Sequence, residues 1–417
     1  MRRIRKTPFI IFLILLNFSA FSQTNNEPSD YNPHDLKITG YFQFQYQKAA
    51  RPGIASFAGS DFAENNDSRF LIRRGRFKFD RVDKYTNIVF QIDATQDGVQ
   101  LRDGFIQLKD PFFNTFTITA GQFTKPFGHI LSYSSSDREF PERPRFYQTT
   151  MPSERDLGAM VSIRPPKYKF LKYEFGVFNG SGTNARDYDN RKDISTSLNF
   201  KFDSLANVLD LGFGASYYNG HVRQNTRTVF NNGQSAGNLG FIPQSDPSLE
   251  GMYAKRRYKG VNLQLDYHGN WGTTSLKSEF VTGKQPGIAP SDDVKPARAS
   301  RSFNEQPETD IYNRKFNGFF IWLVQEIPTT QLQVIANYDI YDANTFVKGT
   351  NIGLPATNTT SADIKFENIG AGLVYYATKQ VKLVLYFDHP INEKTSLTEF
   401  ATDIRDDVFT ARLQYKF

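Results

Sequence analysis

The 417-residue chain contains no cysteine. Disulfide staples, thiol nucleophiles and thiolate metal sites are excluded, so an exported chain of this length must be held by hydrogen bonding and packing. Long apolar runs are missing too. Beyond residue 22 no stretch approaches 18 consecutive apolar residues, and the mean hydropathy is −0.51, which excludes a helical membrane protein. Histidine is scarce, and the five present (34, 129, 221, 268 and 389) are scattered. There is no H-E-x-x-H, no Cys/His cluster and no P-loop, and no Ser-His-acid set is visible. Enzyme chemistry, a cofactor and a metal centre therefore have no residues to rest on. Asp187, Asp189, Asn190 and Asp193 could ligate calcium, but they read more simply as a solvated loop tip.

What the sequence does have begins at its N-terminus. Arg2, Arg3, Arg5 and Lys6 precede an apolar run from Phe9 to Phe18, broken only by Asn17, and Ser19, Ala20 and Ser22 supply small residues before Gln23. That is the pattern of a secretory signal peptide over residues 1–22, because the run is too short for a spanning helix, which needs about 20 residues. Those residues carry four basic and no acidic side chains, which leaves 46 basic against 43 acidic residues in the remainder. The formal charge of +7 is thus mostly a property of the leader, and no nucleic-acid partner follows from it.

Past a short polar extension at 23–34, residues 35–417 alternate. In Val408–Phe417, Phe409, Ala411, Leu413, Tyr415 and Phe417 share one face, while Thr410, Arg412, Gln414 and Lys416 share the other. Residues 194–202 and 331–340 repeat the pattern. Period-two alternation over nine or ten residues fits a tilted strand crossing a membrane. Sixteen such strands can be marked, the first at about 35–48 and the last at about 403–417, and all 20 prolines fall outside them. The gaps between strands sort by parity. One set is short, as at 164–167, 203–208, 269–270 and 327–330. The other is mostly long: 49–68, 125–155, 180–189, 220–254, 285–312, 342–362 and 390–402. Short turns on one rim and long loops on the other are how outer-membrane barrels are built. Aromatic residues gather at the short-turn rim (Tyr85, Phe112, Phe113, Tyr168, Phe170, Trp271, Tyr375, Phe417), as in an interfacial girdle.

The expected fold is therefore all-β, a transmembrane antiparallel β-barrel of about sixteen strands in the outer membrane of a bacterium, large enough to enclose water. Its lumen must be narrowed by a loop. The candidate is 125–155, which mixes Tyr133, Phe140, Phe146 and Tyr147 with Asp137, Arg138, Glu139, Glu142, Arg143, Arg145, Glu154 and Arg155. Such a mixture suits a segment that packs on the barrel wall while lining water. In the second strand, lipid-facing Phe77 and Phe79 send Arg74, Arg76 and Lys78 inward as a column of positive charge, and Arg412 joins them from the last strand. That column would favour anions, unless the cations pair with Asp93, Asp103 and glutamates and stiffen the wall. The same parity turns Arg73 outward, which implies a place near the headgroups or in a subunit interface, since a bare arginine at mid-membrane costs about 2–4 kcal/mol.

Five motifs in order, Arg73-Arg74-Gly75-Arg76, Gly121-Gln-Phe-Thr-Lys-Pro-Phe-Gly128, Phe140-Pro-Glu-Arg143, Arg155-Asp-Leu-Gly158 and Gly176-Val-Phe-Asn-Gly180, resemble the family of phosphate-selective porins O and P. The resemblance implies a sixteen-stranded homotrimer, passive transport of small hydrophilic solutes, and an arginine-lined pore that passes small anions such as phosphate. Arg74, Arg76, Lys78, Arg138, Arg143, Arg145 and Arg412 are the expected pore-lining and anion-binding residues. Selective members carry lysine on the constriction loop, whereas here Lys125 is the only lysine between 125 and 155. A general non-selective porin, or an adhesin or ligand-binding barrel using the loops at 220–254 and 285–312, remains the alternative.

Overall fold

The structure is a computed structural model and describes residues 36–152, 154–187, 189–235, 237–288 and 310–417. The signal peptide, the extension at 23–34 and most of the loop 285–312 lie outside the described residues. Eighteen strands form one sheet. In chain order they are β1 Leu36–Ala49, β2 Ser68–Val82, β3 Thr86–Thr95, β4 Gly98–Lys109, β5 Phe116–Thr124, β6 Arg155–Ile163, β7 Leu171–Phe178, β8 Asp193–Leu205, β9 Leu209–Arg223, β10 Thr228–Ser235, β11 Asn238–Ser245, β12 Tyr253–Gly269, β13 Gly272–Ile288, β14 Ile311–Glu326, β15 Leu332–Asp342, β16 Lys365–Tyr376, β17 Val381–Asn392 and β18 Val408–Lys416. Sixteen of them form a closed antiparallel barrel. β12 pairs directly with β9, so β10 and β11 stand outside the ring as a hairpin, and β1 closes the circle on β18. Closure continues past β18, where Gly40 and Phe417 exchange backbone hydrogen bonds of 3.0 and 2.9 Å. No strand edge is then left in the bilayer, which is the condition for a sheet to span one.

The alternating residues sit as their period requires. Phe90, Ile106, Val261, Phe387 and Leu413 are exposed on the outer wall, and so are the rim aromatics Tyr85, Phe112, Phe113, Tyr168 and Trp271. Phe42, Phe77 and Phe417 cover the seam between the chain ends, with ring centroids 5.3 to 6.3 Å apart.

Three features differ from the sequence reading. Several strands run beyond the membrane on the long-loop side, so Pro286 and Pro390 lie in the outer ends of β13 and β17, near enough to the loops for a missing N–H to be tolerated. The segment 220–254 contains the hairpin, whose β10 adds a short parallel pairing to the outer end of β14. Its polar, glycine-bearing strands carry no alternation to mark them. The third difference is inside the barrel. The inner face of β14 is apolar (Phe316, Gly318, Phe320, Trp322, Val324), and Ile335, Tyr341, Val374, Val384 and Tyr386 extend it over β15 to β17. The inner wall is thus not polar all round.

Loop residues cover that apolar sector. Phe127, Ile130, Leu131, Phe140, Phe146, Tyr147 and Met151 pack on it as one buried cluster. Phe140 stacks on Trp322 with centroids 4.4 Å apart. A short helix, α1 (Arg145–Thr150), lays Phe146 over Gly318, where any side chain would collide with the ring. Each large side chain buried this way stabilises the loop's seat by about 1.5–3 kcal/mol.

Candidate functional site

The segment 125–154 leaves β5 and crosses the lumen before returning to β6. At its start, the Gly128 N–H donates to Ser216 Oγ at 2.9 Å, and the His129 and Ile130 N–H groups donate to one Glu279 oxygen on β13 at 2.9 and 2.6 Å. Further along, Lys277 of β13 meets Glu139 at 2.8 Å. The far side of the crossing is fixed to β1, β17 and β18. There Gln43 donates to Ser135 O (2.9 Å), and Lys382 and Gln414 donate to Ser136 O at 2.8 and 2.9 Å. Inward side chains from opposite sides of the barrel therefore hold the loop inside it.

Two glutamates of this loop are gripped by guanidinium groups. Glu142 accepts from Arg73 Nε and Nη2 at 2.8 and 2.9 Å, from Arg74 Nη2 at 2.8 Å, and from Arg412 Nη2 at 2.8 Å. Glu154 accepts from Arg102 Nη2 at 3.2 Å and from Arg143, and lies 3.4 Å from Arg155 Nη1. Behind them, Arg76 pairs with Asp93 (3.0 Å) and Arg155 with Asp103 (2.8 Å).

Arg73 and Arg102 reach these carboxylates because each occupies a β-bulge. The β1–β2 register runs Gln43↔Arg74 and then Phe44↔Ile72, so Arg73 has no partner position. Likewise, β3–β4 passes from Gln91↔Asp103 to Ile92↔Leu101, leaving Arg102 extra. An inserted residue breaks the two-residue period and re-aims its side chain. The outward, lipid- or subunit-facing place read for Arg73 is thereby corrected: it points into the lumen, and it gives no support to an oligomer contact.

Arg73, Arg74, Arg76, Arg102 and Arg143, with Asp93, Glu142 and Glu154, line a chamber of about 310 Å³ whose wall also includes Tyr147, Gln148 and Met151. Five guanidiniums face three carboxylates. On the short-turn side of the loop a larger cavity of about 700 Å³ is lined by residues of mixed charge, among them Lys125, His129, Lys201, Asp210, Asp266 and Lys277.

The expected site residues separate in space. Arg74, Arg76 and Arg143 meet at the chamber. Arg412 lies behind it, shared between Glu142 and Gln45. Arg138 is buried in the loop, donating to the carbonyls of Phe140 and Pro141 at 3.1 and 3.2 Å. Arg145 sits over the rings of Phe57 and Phe366, 4.5 and 3.6 Å from their centroids, away from the chamber. Lys78 lies further down β2, 2.9 Å from Asp80. Lys125 is buried at the root of the loop, 3.1 Å from Arg155 O and 3.6 Å from Asp156. Sequence reasoning missed Arg73 and Arg102 as lumenal residues. The signal for Arg73 was its own cost: an arginine at a lipid-facing position implies a break in parity.

Burial pushes the Glu142 carboxyl up, but Arg73, Arg74, Arg412 and Arg138 outweigh it and hold the group well below the ordinary glutamate range. Glu154 behaves alike under Arg143, Arg102, Arg155 and Arg76. A depressed carboxylate stabilises the fold above its unfolded pKa, and that contribution is lost as pH falls through the folded value. The grip of the arginines on Glu142 and Glu154 is therefore expected to be unchanged from pH 8 to about pH 5. The difference in reversal potential between wild type and Glu142→Gln, recorded across that range, checks this; a difference that fades between pH 8 and pH 5 would contradict it.

A profile of the family described as phosphate-selective porin O and P matches residues 49–417. No curated protein sequence matches the chain. Among solved structures, the chain is similar to the trimer form of the outer-membrane protein OmpT of Vibrio cholerae, at 9% identity and a TM-score of 0.51, covering 92% of this chain and 99% of that one. It is similar to an anion-selective porin from Comamonas acidovorans, at 11% identity and a TM-score of 0.52, with 92% and 99% covered. The outer-membrane channel DcaP of Acinetobacter baumannii gives 11% identity and a TM-score of 0.55, with 92% and 97% covered. At such identities the likeness is one of fold, whereas the profile match spans nearly the whole chain. A closed sixteen-stranded barrel with a loop across its lumen, matched from residue 49 to its last residue, is an outer-membrane porin that belongs to the family of phosphate-selective porins O and P.

Proposed function

We propose that this porin passes small hydrophilic solutes passively, prefers anions to cations with phosphate among them, and works as a homotrimer. The observation that carries the preference is the chamber wall, where five guanidiniums face three carboxylates. A positive excess in a confined, low-dielectric passage draws anions in and repels cations. Because all five arginines have acidic partners nearby, the preference is modest, closer to a bias than a filter. The trimer rests on the family and on the likeness to a porin solved as a trimer.

Selectivity for phosphate is tested by adding it to one side of a bilayer carrying chloride current. Occupancy of the chamber by phosphate should reduce the chloride current in a saturable way. A current that phosphate leaves unchanged would reduce the proposal to a general anion-biased porin. That plainer reading is favoured by one observation: among the described residues no lysine lines the chamber, and Lys125 is buried at the root of the loop. Chemical cross-linking of the detergent-extracted protein checks the oligomer, with a trimer band expected.

A further inference from the structure

The outer wall carries charge where a bilayer-facing barrel should be apolar. On β12 to β14, Lys255, Arg257, Lys259, Lys284 and Lys315 are all exposed. The register sets three of them side by side: Arg257 pairs with Lys284, and Lys284 with Lys315. Like charges directly opposite each other destabilise a sheet, and adjacent strands lie only about 4.8 Å apart. No ion pair relieves these five among the described residues; Arg257 Nε has only the neutral Asn219 Oδ1, at 2.9 Å.

Their height is informative. The next outward row toward the bilayer is Lys259–Thr282–Asn317, and the one below it is Val261–Phe280–Phe319, which is wholly apolar. Ten residues separate Arg257 from Tyr267, which lies beside Trp271 at the short-turn rim with ring centroids 5.5 Å apart. At about 3.3 Å per residue and a tilt of roughly 40°, that interval is about 25 Å along the membrane normal, the height of the apolar band of such barrels. The cationic row therefore stands at the outer-leaflet headgroups, directly over a greasy strip.

We propose that this basic ladder binds the phosphate groups of a phosphorylated glycolipid of the outer leaflet, whose acyl chains lie along Val261, Phe280 and Phe319. The charge complementarity explains why evenly spaced cations are placed opposite one another: a shared polyanion turns their repulsion into attraction.

The test uses the full-length protein in detergent, with diphosphoryl lipid A and its dephosphorylated form as probes and native mass spectrometry as the readout. Wild-type protein should retain diphosphoryl lipid A at least tenfold more strongly than the dephosphorylated form. An Arg257→Glu/Lys284→Glu/Lys315→Glu variant should lose that difference. Lys284→Gln with Lys315→Gln, which adds no negative charge, should lose most of it if the triple reversal does not assemble. Inorganic phosphate at matched concentration should not displace the lipid, which separates a lipid site from a free-anion site. Equal retention of both lipids, unchanged retention by the variants, or displacement by inorganic phosphate would each overturn the proposal. A change of oligomeric state without a change in lipid retention would mark the face as a subunit contact and overturn it as well.

Discussion

In a salt gradient across a planar bilayer, the Arg74→Glu/Arg76→Glu porin should turn from anion-selective to cation-selective. The chamber wall has five guanidiniums against three carboxylates, and the double reversal leaves three against five. At an effective dielectric constant of about 20, one unit charge about 6 Å from an ion's path is worth roughly 3 kcal/mol before salt screening. A swing of four charges therefore outweighs the excess of two positive charges on the wild-type wall. Arg73 and Arg412 still hold Glu142 in the variant, so the loop keeps part of its anchorage there. If the barrel assembles, shown by heat-modifiable migration in detergent gels, and selectivity does not move, these arginines brace the wall and do not meet the permeating ion.

Replacing Glu142 by glutamine should have the larger effect on structure. One carboxylate neutralises parts of three guanidiniums, from β2 and β18, on opposite sides of the barrel's closing seam at β1. Taking it away leaves their charges uncompensated in a nearly buried setting. Breaking such a pair costs about 3–5 kcal/mol; the lower end applies here, because Arg73 opens partly to the chamber. The loop should then release its middle while Phe140 and Phe146 keep their seats on Trp322 and Phe320. Three effects are expected: a lower unfolding temperature, noisier single-channel current, and stronger block of chloride current by phosphate as the vacated guanidiniums take up the anion. The last effect separates Glu142 from a plain brace. Stronger block would mean that Glu142 occupies the position a permeating anion takes once it is vacated. Unaltered stability and block in Glu142→Gln would show that the loop is held without it.

The barrel itself was legible because a spanning strand has little freedom. Lipid outside and water or a packed loop inside force a period of two, as Phe409 to Phe417 shows. The inward loop was legible from composition, since Phe140, Phe146 and Tyr147 among so many charges needed a wall to pack on. What escaped was everything that breaks the period. The bulges at Arg73 and Arg102 are defined by the partner strand's register, and Arg102 carries no local mark of its own. Parity carried through Arg73 therefore sent it to lipid, where its cost should have been taken as evidence of a bulge. The apolar inner wall had a sequence sign: residues 316–324 read Phe-Asn-Gly-Phe-Phe-Ile-Trp-Leu-Val, apolar on both faces. A strand buried on both sides reads that way, and here the second cover is the loop. Arg138 and Arg145 looked like pore residues because a residue's charge can be seen in sequence. Their sequestration by loop carbonyls and by two phenylalanine rings cannot.

The account depends on ions passing the guanidinium-rich chamber that segment 125–154 builds across the lumen. Its most direct test is the zero-current potential of the wild-type porin in a tenfold potassium chloride gradient. A potential with the sign of anion permeation, falling toward zero as salt is raised and screening grows, is the predicted result. A cation-selective potential would contradict it.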